Sequence, residues 1–314
     1  MRRALRFAAL LSCALAGPVA AQTAAPVPAP VPAPAPASAP APAPLSVEVM
    51  RASAGSLYAN ITLIKGEHDA VMVDAPFTVA DAHRAVAMVL DSGKHLTTVF
   101  ITHDHPDHYF AMEVIADAFP DAKIVAHPVV VADIWRSLPF KVKRWGPLLG
   151  TNGPRHPSAP QPLTSDTIML EGRELKVLGP MAGDHVHATA LWVPSIRALM
   201  AGDLVYNQMF LWMGEHAPAD IAAWGHSLDA LAALKPAIVV AGHARPDLGP
   251  DPAGLDFSAR YIAAWPGLVA ASKDSADLRA KVKAAFPGAI DILGDFLLGN
   301  SSKVAKGEQP AWQE

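Results

Sequence analysis

The chain contains a single cysteine, Cys13, among its 314 residues. Cys13 lies in a segment typical of a secretory signal peptide, with a basic start, an apolar core at residues 7–16 and small residues up to Ala21. Cleavage after Ala21 would leave a mature chain without cysteine, which excludes disulfides and thiolate metal ligands. We therefore expect a periplasmic or secreted protein, with lipid anchoring at Cys13 as a minor alternative.

The chain also lacks an excess of positive charge, since 25 Lys and Arg stand against 29 Asp and Glu without a basic stripe. This balance argues against nucleic-acid partners and leaves a small-molecule substrate. After the signal peptide there is no run of about 18 apolar residues, so no transmembrane segment is expected in the mature chain. Oligomeric state is left open.

Proline, in contrast, is abundant and concentrated. Residues 22–46 are mostly Ala and Pro, a composition that favours extended polyproline II and cannot form a core. The sequence therefore predicts a signal peptide at 1–21, a linker at 22–46 and one domain at 47–314.

Within this domain, apolar runs typical of buried strands alternate with segments of helical periodicity. This alternation occurs in both halves of the domain and favours an α/β fold. The simplest arrangement is an αβ/βα four-layer sandwich, in which two sheets lie face to face with helices outside. Residues 139–164, rich in Pro and Gly, are predicted to be irregular, and we consider them a candidate lid.

The most informative motif follows the predicted strand at residues 96–101. It places His103, His105, Asp107 and His108 in six positions on the loop after the strand. Imidazoles and carboxylates are ligands of divalent transition metals, and four of them exceed what one open catalytic site takes from a single loop. The spacing suggests two metals, one near His103 and His105 and the other near Asp107 and His108.

Two later strands end in residues of the same kind. Asp203 follows Gly202 after one apolar strand, and His243 follows Gly242 after another. A carboxylate at such a turn can bridge two cations, and strand ends of this kind meet at one edge of an open α/β sheet.

This order of motifs, with Asp74 at the end of an early strand, resembles the metallo-β-lactamase-fold hydrolase superfamily. The resemblance implies that His103, His105 and one later histidine hold a first metal, and that Asp107, His108 and His243 hold a second. It implies Asp203 as the bridge, two zinc ions as the cofactor, and a hydroxide between them as the nucleophile.

The later histidine is where this chain departs from the family, which usually has Gly-His at this point. Here Gly183 is followed by Asp184, His185, Val186 and His187. We favour His185 as the third ligand, with His187 as an alternative, and Asp184 as a ligand or a single-metal site as further possibilities.

Other residues are assigned supporting roles. Asp74 and Asp104 are expected to orient ligand imidazoles rather than bind metal. Tyr206 resembles the tyrosine that lactonases of this fold aim at the substrate carbonyl, and with Asp107 it forms our catalytic pair. Several aromatic and apolar residues could form a wall for an acyl chain: residues 210–213, Trp135, Phe140 and Trp145.

The expected function is that of an exported dinuclear zinc hydrolase of a lactone, a β-lactam or a related ester or amide. Asp203 stands where the cysteine-ligand β-lactamases of the family carry Cys, and this favours the lactonase and esterase branches. The alternatives are a mononuclear iron oxygenase of the persulfide type on the same fold, and a non-catalytic metal-binding protein.

Overall fold

The first sheet carries the early motif residues. The structure, a computed structural model, describes residues 43–312 and the isolated positions 14, 17, 20 and 21. Antiparallel pairs join β1 to β2 and β2 to β3, whereas β3 to β6 run parallel. The strands lie in sequence order: β1 Ser46–Arg51, β2 Asn60–Lys65, β3 Asp69–Val73, β4 His95–Ile101, β5 Lys123–Ala126 and β6 Gln161–Pro162.

The second half of the chain forms a five-stranded sheet of order β12-β10-β9-β8-β7 and a short parallel pair of β11 with β13. In that pair Tyr206 lies opposite His243. The strands are β7 Thr167–Leu170, β8 Arg173–Met181, β9 Ala188–Val193, β10 Ala198–Met200, β11 Tyr206–Asn207, β12 Ile238–Val240 and β13 His243–Ala244.

Alternation along the strands shows how the sheets are layered. Val71 and Val73 of β3 pack with Leu191 and Val193 of β9 in a core between the sheets. Their neighbour Met72 belongs to a second core, shared with the helices. Because successive side chains point to opposite faces of a strand, the sheets lie face to face with helices outside. The predicted α/β sandwich is confirmed.

Within residues 43–312 the chain forms seven α-helices, and local signals set several of their ends. The first begins where the Thr78 hydroxyl accepts a hydrogen bond from the Asp81 N–H, and ends at Gly93 with φ 64°. They are α1 Val79–Ser92, α2 Met112–Ala118, α3 Pro128–Leu149, α4 Pro218–Ala233, α5 Ala253–Ala270, α6 Ser275–Ala285 and α7 Phe296–Ala305.

The predicted irregular lid at residues 139–164 is wrong in its first part, because α3 continues to Leu149 through Pro139 and Pro147. Proline removes one helical hydrogen bond, which made an interruption the expected result. Burial of Leu138, Lys141 and Trp145 along the same helix offsets that loss. From residue 153 to 160 the chain has no regular structure.

Apart from the isolated positions 14, 17, 20 and 21, the predicted signal peptide lies outside the described residues, as does most of the Ala-Pro linker, so these boundaries stay predictions. No helix in the part of the chain that the structure describes is long and apolar enough to cross a bilayer.

A single carboxylate closes the turn between β2 and β3. Glu171 accepts hydrogen bonds from the backbone N–H groups of Asp69, His68 and Glu67 at 2.6 to 2.9 Å. These bonds lower the pKa of Glu171 to about 2. Because the folded pKa lies below the unfolded one, the stabilisation is complete above pH 4.5 and is lost as pH falls towards 2.

We therefore predict that Glu171→Gln lowers the Tm at pH 7, and that the difference from the parent narrows steadily between pH 5 and pH 3. Thermal unfolding across this range measures it. Glu174→Gln on β8, an exposed carboxylate 3.6 Å from Lys176, is the matched control. A Tm difference for Glu171→Gln that does not vary with pH would contradict the account.

Candidate metal centre

The loop after β4 is anchored before it reaches the centre. Asp74, at the end of β3, accepts hydrogen bonds from the Thr102 N–H and hydroxyl at 2.8 and 3.0 Å. Its other oxygen lies 2.8 Å from Nδ1 of His108. Asp74 has φ 64°, a left-handed conformation that aspartate tolerates better than most residues. Asp74 thus orients a candidate ligand, as expected.

Asp107, His108 and His243 form one converging set of donors, here called the second group. Nε2 of His108 and Nε2 of His243 are 3.4 Å apart, and Oδ2 of Asp107 lies 3.7 and 3.2 Å from them. These separations match those of ligands around a tetrahedral ion with bonds of about 2.0–2.2 Å.

His103, His105, Asp184 and Asp203 form a neighbouring set, the first group. Nε2 of His103 lies 3.8 Å from Asp184 Oδ1 and 3.7 Å from Asp203 Oδ2. Nδ1 of His105 lies 2.9 Å from Asp184 Oδ2. All four side chains are buried.

Asp203 joins the two groups. Besides its distance of 3.7 Å to His103, its oxygens lie 3.1 Å from Nε2 of His108 and 3.2 Å from Nε2 of His243. A buried carboxylate shared in this way can bridge two cations.

The residues fit a pair of metal ions. Within the described part of the chain, Nε2 of His103 and Oδ1 of Asp184 are buried and make no hydrogen bond. A buried polar atom without a partner is costly, and here such atoms face one another across a space where a cation would satisfy them.

The electrostatics point the same way. Burial and the nearby Asp203 carboxylate raise the pKa of Asp184 to about 8. Although burial opposes its charged form, His243 has its pKa raised to about 10 by Asp203 and Asp107. Buried carboxylates that lie close together favour the binding of a cation that neutralises their charge.

The structure does not bring His185 or His187 into either group. Nδ1 of His185 accepts a hydrogen bond from the His187 N–H at 3.2 Å, and Nδ1 of His187 lies 2.6 Å from the Asp133 carboxylate. Asp184, which the sequence leaves as a further possibility, belongs to the first group.

The sequence predicts that Asp104 orients an imidazole, but its carboxylate instead contacts two side chains of α3. Oδ1 of Asp104 is 2.8 Å from the buried ammonium of Lys141 and accepts a hydrogen bond from Ser137 at 3.0 Å. It therefore fastens the loop to α3.

Tyr206 points to the centre and is held by carboxylates. Its hydroxyl lies 2.8 Å from Asp184 Oδ2 and 3.0 Å from Asp203 Oδ2, and its ring stacks on His243. The catalytic role assigned to it stays a prediction.

Glu215 was missed by the sequence reasoning. Its Oε1 lies 3.2 Å from Nε2 of His105 and accepts a hydrogen bond from Trp212 Nε1 at 2.8 Å. Its position in the sequence does not predict a role at the centre, because it lies far along the chain from the histidine loop and follows no strand of the predicted kind. Only the fold brings the two together.

The pocket over the centre has aromatic and aliphatic walls. Trp145 and Trp212 line it, as predicted, together with Leu57, Ile292, Phe296, Leu297 and Trp312. The other residues predicted for this wall do not line it: Phe210, Leu211 and Met213 are buried in the core, and Trp135 and Phe140 are 59% and 65% exposed.

Residues 54–243 match the family model of the metallo-beta-lactamase superfamily. This span covers more than half of the chain, and the chain belongs to that superfamily. No curated protein matches it.

Solved structures show the same fold. A metallo-beta-lactamase family protein from Thermus thermophilus is 20% identical, with a TM-score of 0.58 over 83% of this chain and 91% of that one. A metallo-beta-lactamase from Pontibacter korlensis is 16% identical, with a TM-score of 0.52 over 70% and 95%. The DIM-1 metallo-beta-lactamase is 19% identical, with a TM-score of 0.51 over 66% and 87%.

Gly242 leaves room for the shared carboxylate. A Cβ at this position would overlap Oδ1 of Asp203 and lie 2.7 Å from the carbonyl carbon of Gly202. We predict that Gly242→Ala displaces Asp203 and weakens metal binding by about tenfold or more.

Calorimetric titration with Zn²⁺ measures this effect. Gly225→Ala on α4 is the control, because its Cβ would meet only Ile262 at an ordinary 3.7 Å. Equal metal affinities in the two variants would show that Asp203 does not depend on this close approach.

Proposed function

We propose that this protein is an exported dinuclear metal hydrolase, with two zinc ions, that opens a lactone or a related ester or amide. The observation that carries the proposal is the pair of buried His/Asp groups on either side of Asp203. When bound, two such cations acidify a shared water and polarise a carbonyl oxygen.

The chain's own residues supply the rest of the chemistry. Asp107 lines the pocket and is placed to hold a proton released during hydrolysis. Tyr206 donates a hydrogen bond of 3.0 Å to Asp203 and so fixes the carboxylate that the two groups share. The apolar walls, above all Trp212 and Phe296 stacked at 5.4 Å, exclude bulk water and accept an acyl chain.

The charge of the pocket favours a neutral substrate. Four carboxylates line it, those of Asp107, Asp184, Asp203 and Glu215. Two divalent cations held by these groups would balance their charge. Among the described lining residues there is no Lys or Arg. A substrate carboxylate would therefore lack a cationic partner, which favours lactones and neutral esters over β-lactams that carry one.

We predict chelator-sensitive hydrolysis, followed as acid release, on a panel of lactones, a β-lactam and two matched aryl esters. 4-Nitrophenyl butyrate should exceed mono(4-nitrophenyl) glutarate in kcat/KM by at least about tenfold, or about 1.4 kcal/mol. Asp107→Ala should abolish turnover with little change in Tm. Asp117→Ala, an exposed carboxylate on α2, is the matched control and should leave turnover unchanged.

Turnover that survives chelation or the loss of Asp107 would overturn the proposal. A preference for the glutarate ester would leave metal-dependent hydrolysis standing but contradict the argument from charge.

One observation favours a second function. His103, His105 and Asp184 are two imidazoles and a carboxylate, the donor set of non-haem Fe(II) oxygenases. A mononuclear iron oxygenase would purify with one iron and consume dioxygen with a persulfide, and it would leave the ester panel untouched. The second group favours the hydrolase, since an enzyme with one iron has no use for it.

We also propose that the protein is exported and joined to its leader by the Ala-Pro linker, on the strength of the pattern at residues 1–21. Intact mass of the protein from a bacterial periplasmic fraction should correspond to a chain that begins at Gln22. A mass that includes Met1 would contradict export, and a lipid on Cys13 would support anchoring instead.

A further inference from the structure

The two halves of the centre have matching donors. The first group contributes His103, His105 and Asp184, and the second contributes two imidazoles and Asp107. Each half also has a share of Asp203. Each metal position is therefore offered two nitrogen donors, one carboxylate of its own and one shared carboxylate.

The match extends to the groups behind the imidazoles. In each half a carboxylate lies against the far nitrogen of one ring. Glu215 is 3.2 Å from Nε2 of His105, and Asp74 is 2.8 Å from Nδ1 of His108. Such a carboxylate orients the ring and strengthens it as a donor.

The other imidazole of each half is backed by a neutral oxygen. Nδ1 of His103 lies 2.9 Å from the Thr102 hydroxyl, which itself donates to Asp74. Nδ1 of His243 donates to the Leu57 carbonyl at 2.9 Å. The remaining Nε2 atoms of both rings then face the centre.

Asp184 and Glu215 create this balance. With a histidine in place of Asp184, the first position would have three imidazoles and a single share of Asp203, and the positions would differ in charge and donor type. Trp212 Nε1 donates to the same Glu215 oxygen that faces His105, at 2.8 Å, and so helps to fix this carboxylate beside the ring.

We infer that Asp184 is the protein ligand completing the first metal position and that Glu215 positions His105, so the two sites bind a divalent metal with similar affinity. This inference rests on the two-metal centre proposed above. The inferred centre differs from two-metal sites in which one position binds the ion strongly and the other weakly, because such unequal positions fill one after the other.

Native mass spectrometry of the apo-protein with one equivalent of Zn²⁺ tests the inference. Two equal, independent sites place about a quarter of the molecules in the two-metal state, whereas sites filled in order give almost only the one-metal state. We expect the parent to show about a quarter.

Four variants locate the cause. Asp184→His should make the positions unequal and collapse the two-metal fraction. Glu215→Gln should weaken the first position about 10- to 100-fold and so lower the two-metal fraction from about a quarter to between about 18% and about 8%, with unchanged Tm and an altered Co²⁺ absorption spectrum. Trp212→Phe, which keeps the ring stacked on Phe296 but loses the N–H, should have a smaller effect in the same direction. His185→Ala is the matched control and should load as the parent does.

The outcomes separate the inference from the proposed function. A parent that shows only the one-metal state at one equivalent, but binds two ions in excess, overturns the balance and keeps the two-metal centre. Loss of one site in His185→Ala overturns the assignment of Asp184. A parent that never binds two ions overturns the two-metal centre itself.

Discussion

The structure depends on a set of buried carboxylates whose partners are imidazoles and the hydroxyl of Tyr206. Asp203 is the most constrained of them, since its carboxylate lies within 3.2 Å of both His108 and His243 and accepts a hydrogen bond from the Tyr206 hydroxyl. Removing such charges from water is expensive unless cations or hydrogen bonds compensate. Metal ions held by these groups would supply that compensation.

Several features outside the centre serve that constraint. Gly242 allows the Asp203 carboxylate to approach, and Asp74 holds the loop after β4 by accepting hydrogen bonds from the N–H and the hydroxyl of Thr102. Lys141, buried on α3, pairs with Asp104 from the same loop. Trp212, Phe296 and Trp312 contact one another through their rings and form part of the wall of the pocket over the centre. Fold and site are thus parts of one arrangement.

The sequence predicts the parts of this arrangement that follow from strand periodicity and spacing. Asp203 and His243 can be predicted because an apolar strand ends shortly before each of them, and such strand ends meet at one edge of the sheet. The choice between Asp184 and His185 could not be made in this way, because adjacent residues in a turn point in different directions that packing decides. Glu215 carries no local signal at all. The continuation of α3 through Pro139 likewise depends on burial of Lys141 and Trp145. The local preference of proline to interrupt a helix does not take such burial into account.

The most direct test of the central claim is a crystal structure of the metal-loaded protein with anomalous scattering recorded at the metal edge. The account predicts two peaks about 3.5–4 Å apart. Asp203 should lie between them, with Asp184 on one ion and Asp107 on the other. A single peak, or ions bound without Asp203, would contradict it.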